Sequence, residues 1–178
     1  MSDDIQILVI DDEAEMRRLL GKVLSKEGYA VQTSLSGTDA LKRVERTPFD
    51  IVVTDLKMRG MDGIEVLRTI KRTSPETTVV LMTAFGSIDS AIQAMKEGAY
   101  HYITKPFKME GLLILLRRAL EERQLQREVL SLRQEVQGRY RFSNILGKSR
   151  AMQAVFELIR KVSASKSTVL LSGESGTG

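Results

Sequence analysis

Three carboxylates, one lysine and one threonine hold most of the chemistry this chain could perform: Asp11 and Asp12, Asp55, Lys105 and Thr83. Brought within about 4 Å of one another at an effective dielectric near 20, each pair of carboxylates repels by on the order of 4 kcal/mol, a cost that a cation reverses. The chain has no cysteine and a single histidine, His101, so a bound cation must sit on oxygen. Hard oxygen donors in this number suit Mg²⁺, which keeps several waters and takes a couple of carboxylates plus phosphate oxygens. A metal there neutralises both an attacking carboxylate and a phosphoryl group, so an aspartyl phosphate is the product to expect. Lys105 would offer a compact positive charge to one phosphoryl oxygen and the Thr83 hydroxyl a donor to another. Each residue also has a plainer reading. Asp11 or Asp12 could cap the following helix, Asp62 could be a turn residue, and Lys105 could be a surface lysine.

The chemical reading requires these groups to converge, and the chain supplies a scaffold that does so. Five β-branched runs, Ile5 to Ile10, Ala30 to Ser34, Phe49 to Thr54, Thr78 to Thr83 and Tyr100 to Thr104, alternate with helical stretches. The helices are expected at Ala14 to Glu27, Gly37 to Arg46, Gly63 to Thr73 and Ile88 to Glu97, with a fifth starting at Met109. This is the pattern of βαβ units around a parallel sheet, and the nearly unbroken apolar runs at Ile7 to Ile10 and Ile51 to Val53 suit strands buried on both faces. In such a three-layer α/β sandwich ligands gather beyond the carboxyl ends of the strands. Asp11-Asp12, Asp55, Thr83 and Lys105 all stand at those ends.

The fifth helix meets no stop signal before Gly138, which at 1.5 Å per residue carries it about 40 Å, longer than the sheet needs. Its later apolar positions, Leu125, Val129, Leu132 and Val136, fall at the 4-3-4 spacing of a short coiled coil, so pairing with a second copy of the chain is expected. From Arg117 to Arg150 nine Lys or Arg face four Asp or Glu, which accounts for the whole net charge of +4. No recognition-helix pattern accompanies that excess, so a nucleic-acid-binding or dimerisation module built on the basic segment is only the alternative reading. Further on come an amphipathic stretch, Ser149 to Val162, an apolar run, Thr168 to Ser172, and Gly173-Glu174-Ser175-Gly176-Thr177-Gly178. The last six fit the opening of a phosphate-binding loop, whose lysine would come next; the sequence stops at Gly178. No apolar run is long enough to span a membrane and Met1 to Asp4 opens acidic, so a cytoplasmic protein with no membrane partner is expected.

Together the ordered signals Asp11-Asp12, Val53-Thr54-Asp55, Gly60-Met61-Asp62-Gly63, Thr83-Ala84 and Lys105-Pro106 resemble the receiver domain of response regulators, over about residues 4–120. The resemblance implies a flavodoxin-like, doubly wound five-stranded parallel sheet. It further implies that Asp55 takes a phosphoryl group from a sensor histidine kinase, with Mg²⁺ on Asp12, Asp55 and the Lys57 backbone carbonyl and Asp11 assisting through water. Thr83 and Tyr102 would be a switch pair, and Lys105-Pro106 a cis peptide. Arg59 departs from the family, many members carrying proline after the residue that corresponds to Met58. The stretch 142–178 resembles the start of the AAA+ domain of sigma-54-dependent activators, and with the receiver it suggests the nitrogen-regulatory protein C family, cut inside the loop carrying Gly173, Gly176 and Gly178. Residues 109–138 would then link receiver to ATPase. The implied function is a phosphorylation-controlled regulator that is not itself an enzyme; its ATPase, its sigma-54 polymerase contacts and its DNA binding would lie in missing parts. The rival enzyme reading, a nucleotidase or ATPase, would require turnover of ATP by this chain.

Overall fold

The computed structural model describes residues 5–84, 88–140, 149–163, 168 and 170, and the chain divides into two units, 1–126 and 127–178. In the first unit five strands, β1 (Gln6–Ile10), β2 (Ala30–Ser34), β3 (Ile51–Asp55), β4 (Thr78–Thr83) and β5 (His101–Thr104), form one parallel sheet in the order β2-β1-β3-β4-β5. Between and after them run α1 (Ala14–Lys26), α2 (Gly37–Arg46), α3 (Gly63–Thr73), α4 (Ile88–Lys96) and α5 (Met109–Tyr140). The expected fold is therefore the observed one, with element ends shifted by two residues at most.

The sheet is doubly wound because its central strands are apolar on both faces. Ile7, Val9, Ile51 and Val53 pack with Leu20 and Leu24 of α1 and Leu112 and Leu116 of α5. Their alternating neighbours Leu8, Ile10 and Val52 pack on the other face with Ala40 of α2, Val66, Leu67 and Ile70 of α3 and Ala94 of α4. A period of two along each strand sends alternate side chains to the two helical layers.

Two local devices fix the end of the sheet where the polar residues stand. Helix α3 opens on a capping box, the Asp62 carboxylate accepting from the Glu65 N–H and the Glu65 carboxylate from the Asp62 N–H, so Asp62 is a cap as well as a loop residue. At the next position a Cβ on Gly63 would lie 2.3 Å from the Asp55 carbonyl oxygen and 2.9 Å from Leu56 Cα. Only glycine lets α3 start this close to the exit of β3.

At the opposite end of the sheet Asp50 ties several elements together. Its carboxylate accepts the Gln6 N–H at 2.9 Å, and Arg123 of α5 donates to its carbonyl at 2.6 Å and pairs with its carboxylate at 3.0 Å. Arg117 adds a bond to Glu27 at 2.6 Å. Beyond these anchors Leu125, Val129 and Leu132 are exposed, the positions expected to form a coiled-coil seam; the side chain of Val136 lies outside the described residues.

In the second unit α6 (Arg150–Ser163) is capped by Ser149, whose hydroxyl accepts the Met152 N–H at 3.3 Å. Of the run Thr168 to Ser172 only residues 168 and 170 are described; the glycines Gly173, Gly176 and Gly178 and all of 141–148 lie outside the described residues. Among the described residues no helix is long and apolar enough to cross a membrane.

Candidate functional site

Strands β1 and β3 are parallel neighbours with Ile10 opposite Thr54, so the chain leaves both strands side by side and presents Asp11 and Asp55 together. Strand β5 delivers Lys105 one residue past Thr104, and the Lys105 N–H donates to the Thr83 carbonyl at 2.6 Å, fastening the exits of β4 and β5. The Lys105-Pro106 peptide is cis. The lysine side chain then lies across the sheet edge. Its Nζ stands 2.7 Å from Asp11 Oδ2 and 2.7 Å from Asp55 Oδ1, with side-chain exposures of 13% for the lysine, 1% for Asp11 and 9% for Asp55. This is no surface lysine; it is the counter-ion of two buried carboxylates.

The remaining lone pairs have distinct partners. Asp11 Oδ1 accepts the Glu13 N–H at 2.9 Å, a short turn that leads into α1. Asp55 Oδ2 accepts the Lys57 N–H at 3.0 Å. Asp55 Oδ1 is buried, and although the ammonium is close, its approach is too oblique for a hydrogen bond, so this oxygen accepts none of good geometry. Burial pushes the Asp55 carboxyl above its ordinary value; the adjacent Lys105 ammonium pulls against it and the Asp11 charge adds to it. Burial pulls the Lys105 ammonium down, but the close Asp11 and Asp55 carboxylates outweigh that and hold it above the ordinary lysine value. The result is a more basic carboxyl at Asp55 beside a firmly protonated amine.

Asp12 behaves differently from its neighbour. It is exposed, because successive residues leaving a strand point to opposite sides and Asp11 takes the inward position. Among the described residues no three Asp, Glu, His or Cys side chains gather closely enough to form a metal site by themselves. The structure thus brings together two of the three carboxylates, with Lys105 between them, and leaves Asp12 at the rim. Mg²⁺ still fits this donor set: it is content with one or two carboxylates and waters, every donor is oxygen, and Asp55 Oδ1 is a buried oxygen lacking a good hydrogen bond. Lys57 and Arg59 are both exposed in the loop after Asp55.

Thr83, at the exit of β4, is 1% exposed. Tyr102 lies on β5 opposite Leu81, one register step on the same face before the pair of Thr83 with Thr104. Its ring packs against the core on the α2–α4 face, and its hydroxyl is 2.9 Å from that of Ser90 in α4. Sequence reasoning missed Ser90 and also Arg123, since a serine or arginine within a helix carries no signal of a partner on a distant strand. His101 is exposed and stands apart from the carboxylates.

Comparison with known proteins agrees with this fold. Residues 7–117 match the response regulator receiver domain, and residues 145–178 match the sigma-54 interaction domain. Regulatory protein AtoC of Escherichia coli (strain K12) is 34% identical over 173 residues, covering 97% of this chain and 38% of that protein. The DNA-binding transcriptional regulator NtrC of the same organism is 34% identical over 172 residues, covering 97% and 36%. The chain therefore spans less than two fifths of the length of these curated relatives. Among solved structures, the beryllofluoride-activated NtrC4 receiver domain dimer superposes with a TM-score of 0.64 at 36% identity, covering 66% of this chain and 98% of that one.

Proposed function

Because the chain belongs to the response regulator receiver family and continues into a stretch matching the sigma-54 interaction domain, we propose that it is the phosphoacceptor part of a two-component transcriptional activator, with Asp55 the residue that is charged. The observation that carries this reading is the buried Asp55 Oδ1, which accepts no good hydrogen bond and faces an ammonium 2.7 Å away.

In the proposed reaction a carboxylate oxygen of Asp55 attacks the phosphorus of a phosphohistidine on a sensor kinase. The P–N bond breaks, its electron pair returns to the imidazole, and an acyl phosphate remains on Asp55. Burial makes the Asp55 oxygen more basic and hence more nucleophilic, while Lys105 keeps it ionised and stands ready to meet a phosphoryl oxygen. Mg²⁺ would be held by Asp12, Asp55 and the Lys57 carbonyl, with Asp11 acting through water, and would supply charge neutralisation between nucleophile and phosphoryl group. The Thr83 hydroxyl would donate to another phosphoryl oxygen, with Tyr102 following it as the second half of a switch.

The receiver spans 4–120, α5 serves as linker over 109–138, and 142–178 opens an AAA+ domain, with Gly173, Gly176 and Gly178 on its phosphate loop. This chain turns over no nucleotide of its own. Two copies pair through receiver and linker in the cytoplasm, and contacts with sigma-54 polymerase and DNA belong to other parts of the protein. The test is incubation of the chain with Mg²⁺ and acetyl phosphate. One hydroxylamine-labile phosphoryl group per chain is expected in the wild type and none in Asp55→Asn; absence in both, or retention in the variant, overturns the reading.

A further inference from the structure

Ser90 lies in the first turn of α4, four residues before the buried Ala94, so it sits on the helix face turned toward the sheet. There its hydroxyl meets that of Tyr102 at 2.9 Å. The tyrosine ring is half-buried and packs against the same core that Ala94 enters. Toward the carboxyl edge the next residue on that face of β4 after Leu81, the partner of Tyr102, is Thr83, so Thr83 and Tyr102 are diagonal neighbours on adjacent strands. One tyrosine thus stands between a helix that holds its hydroxyl and a threonine at the rim of the Asp55 site.

From this juxtaposition we propose that Ser90 is a positioning residue of the switch, its hydroxyl latching Tyr102 to α4 while Asp55 is unphosphorylated and releasing it when Asp55 is charged. The inference rests on the phosphoacceptor reading of Asp55. A turn of the ring toward Thr83 carries its hydroxyl away from Ser90 or drags the first turn of α4 with it, so side-chain state and helix position are linked through one bond. The strength of that bond suits a latch. A neutral hydroxyl pair contributes little net free energy, enough to bias a two-state equilibrium several-fold and too little to lock it. The state it favours is the one in which Lys105 is taken up by Asp11 and Asp55.

The experiment titrates the whole chain, in Mg²⁺, with beryllofluoride as the phosphoryl mimic. Ser90→Ala keeps the helix, alanine being the better helix former, and removes the hydroxyl; Tyr102→Phe removes the other half of the same bond. Each is expected to bind the mimic about 2- to 10-fold more tightly than wild type. The double variant should gain no more than either single one, since both remove the same Ser90–Tyr102 bond, and Ser90→Thr should restore wild-type affinity. Unchanged or weaker binding by Ser90→Ala, or additive gains in the double variant, overturns the latch while leaving Asp55 as acceptor. Wild-type chain that fails to bind the mimic, or binds it equally well as Asp55→Asn, overturns the acceptor reading and the latch with it.

Discussion

Replacing Lys105 with Gln tests the electrostatics of the site without any phosphoryl chemistry. In the wild type one ammonium lies 2.7 Å from Asp11 Oδ2 and 2.7 Å from Asp55 Oδ1; in the variant two buried carboxylates face each other with no counter-ion. Stranding a buried charge by removing its partner costs roughly 3 to 5 kcal/mol. The site opens to solvent on the Lys105 side, which places the expected loss at about 3 kcal/mol near pH 8, a large part of a typical domain's stability of roughly 5 to 15 kcal/mol. The loss must depend on pH. Asp55 already sits above its ordinary value of 3.8 because of burial, and removal of Lys105 raises it further. A carboxyl whose folded-state value is raised stabilises the folded form below the unfolded value and withdraws that stability as pH climbs through the folded one. The gap between variant and wild type should therefore be narrow at pH 4, widen with rising pH, and level off once Asp55 is ionised in both. Urea unfolding of both proteins across pH 4 to 8, with and without Mg²⁺, measures it, and added Mg²⁺ should return part of the loss by binding the uncompensated carboxylate pair. A loss under about 1 kcal/mol at pH 8, or one equal at both ends of the range, would refute the claim that Lys105 neutralises this pair.

Two further outcomes follow from packing. Gly63→Ala, which in an ordinary helix would stabilise, should here cost about 1 to 3 kcal/mol in urea unfolding, because its Cβ would meet the Asp55 carbonyl oxygen at 2.3 Å; a neutral or stabilising result would show that the start of α3 is looser than described. Val129→Glu places a charge in the middle of the exposed apolar stripe of α5 and should abolish the proposed dimer, with light scattering as the readout, while leaving the unfolding free energy within about 0.5 kcal/mol of wild type.

Much of this was legible in the sequence because strands buried on both faces and strand-exit residues announce themselves by type. Val79 to Met82 and Ile51 to Val53 admit no reading but central strands, and once those are placed, Asp55, Thr83 and Lys105 fall on one edge of the sheet. The sequence could not say which of two adjacent aspartates points inward. The pleat decides that, and it buries Asp11 and exposes Asp12, contrary to the expectation of three converging carboxylates. Nor could it reveal that Lys105 is engaged before any phosphoryl group arrives. Arg123 was unreadable for a different reason. Its partner Asp50 lies 73 residues away, and in the local pattern it is one more charged residue on a long helix. The start of β3 shows the same limit: Phe49 was expected inside the strand, but its carbonyl is taken by the Thr77 hydroxyl at 3.0 Å and regular pairing starts at Ile51.

The charge count at the sheet edge bears on why phosphorylation would change this domain's state at all. Asp11, Asp55 and Lys105 sum to one negative charge, and the ammonium is shared between the two carboxylates at equal distance. On the proposed reading an acyl phosphate replaces the single charge of Asp55 with roughly −1.5 to −2, and its oxygens lie beyond the carboxylate, toward Thr83 and the rim where Asp12 stands. Lys105 cannot then remain equidistant: the stronger field draws it from Asp11 toward the phosphoryl group, and Asp11, almost fully buried, is left needing a cation. A magnesium ion restores that balance, which makes metal and phosphoryl group mutually supporting ligands of one site. The same pull acts on the chain around Lys105. Its N–H is bonded to the Thr83 carbonyl, and α5 starts four residues later at Met109. On the proposed reading a shift of the lysine is thus transmitted through covalent backbone to the helix whose middle is pinned by Arg123 on Asp50. On the proposed reading the charge on Asp55 therefore acts on the start of α5 through the backbone between Lys105 and Met109, while Arg123 keeps that helix anchored on Asp50.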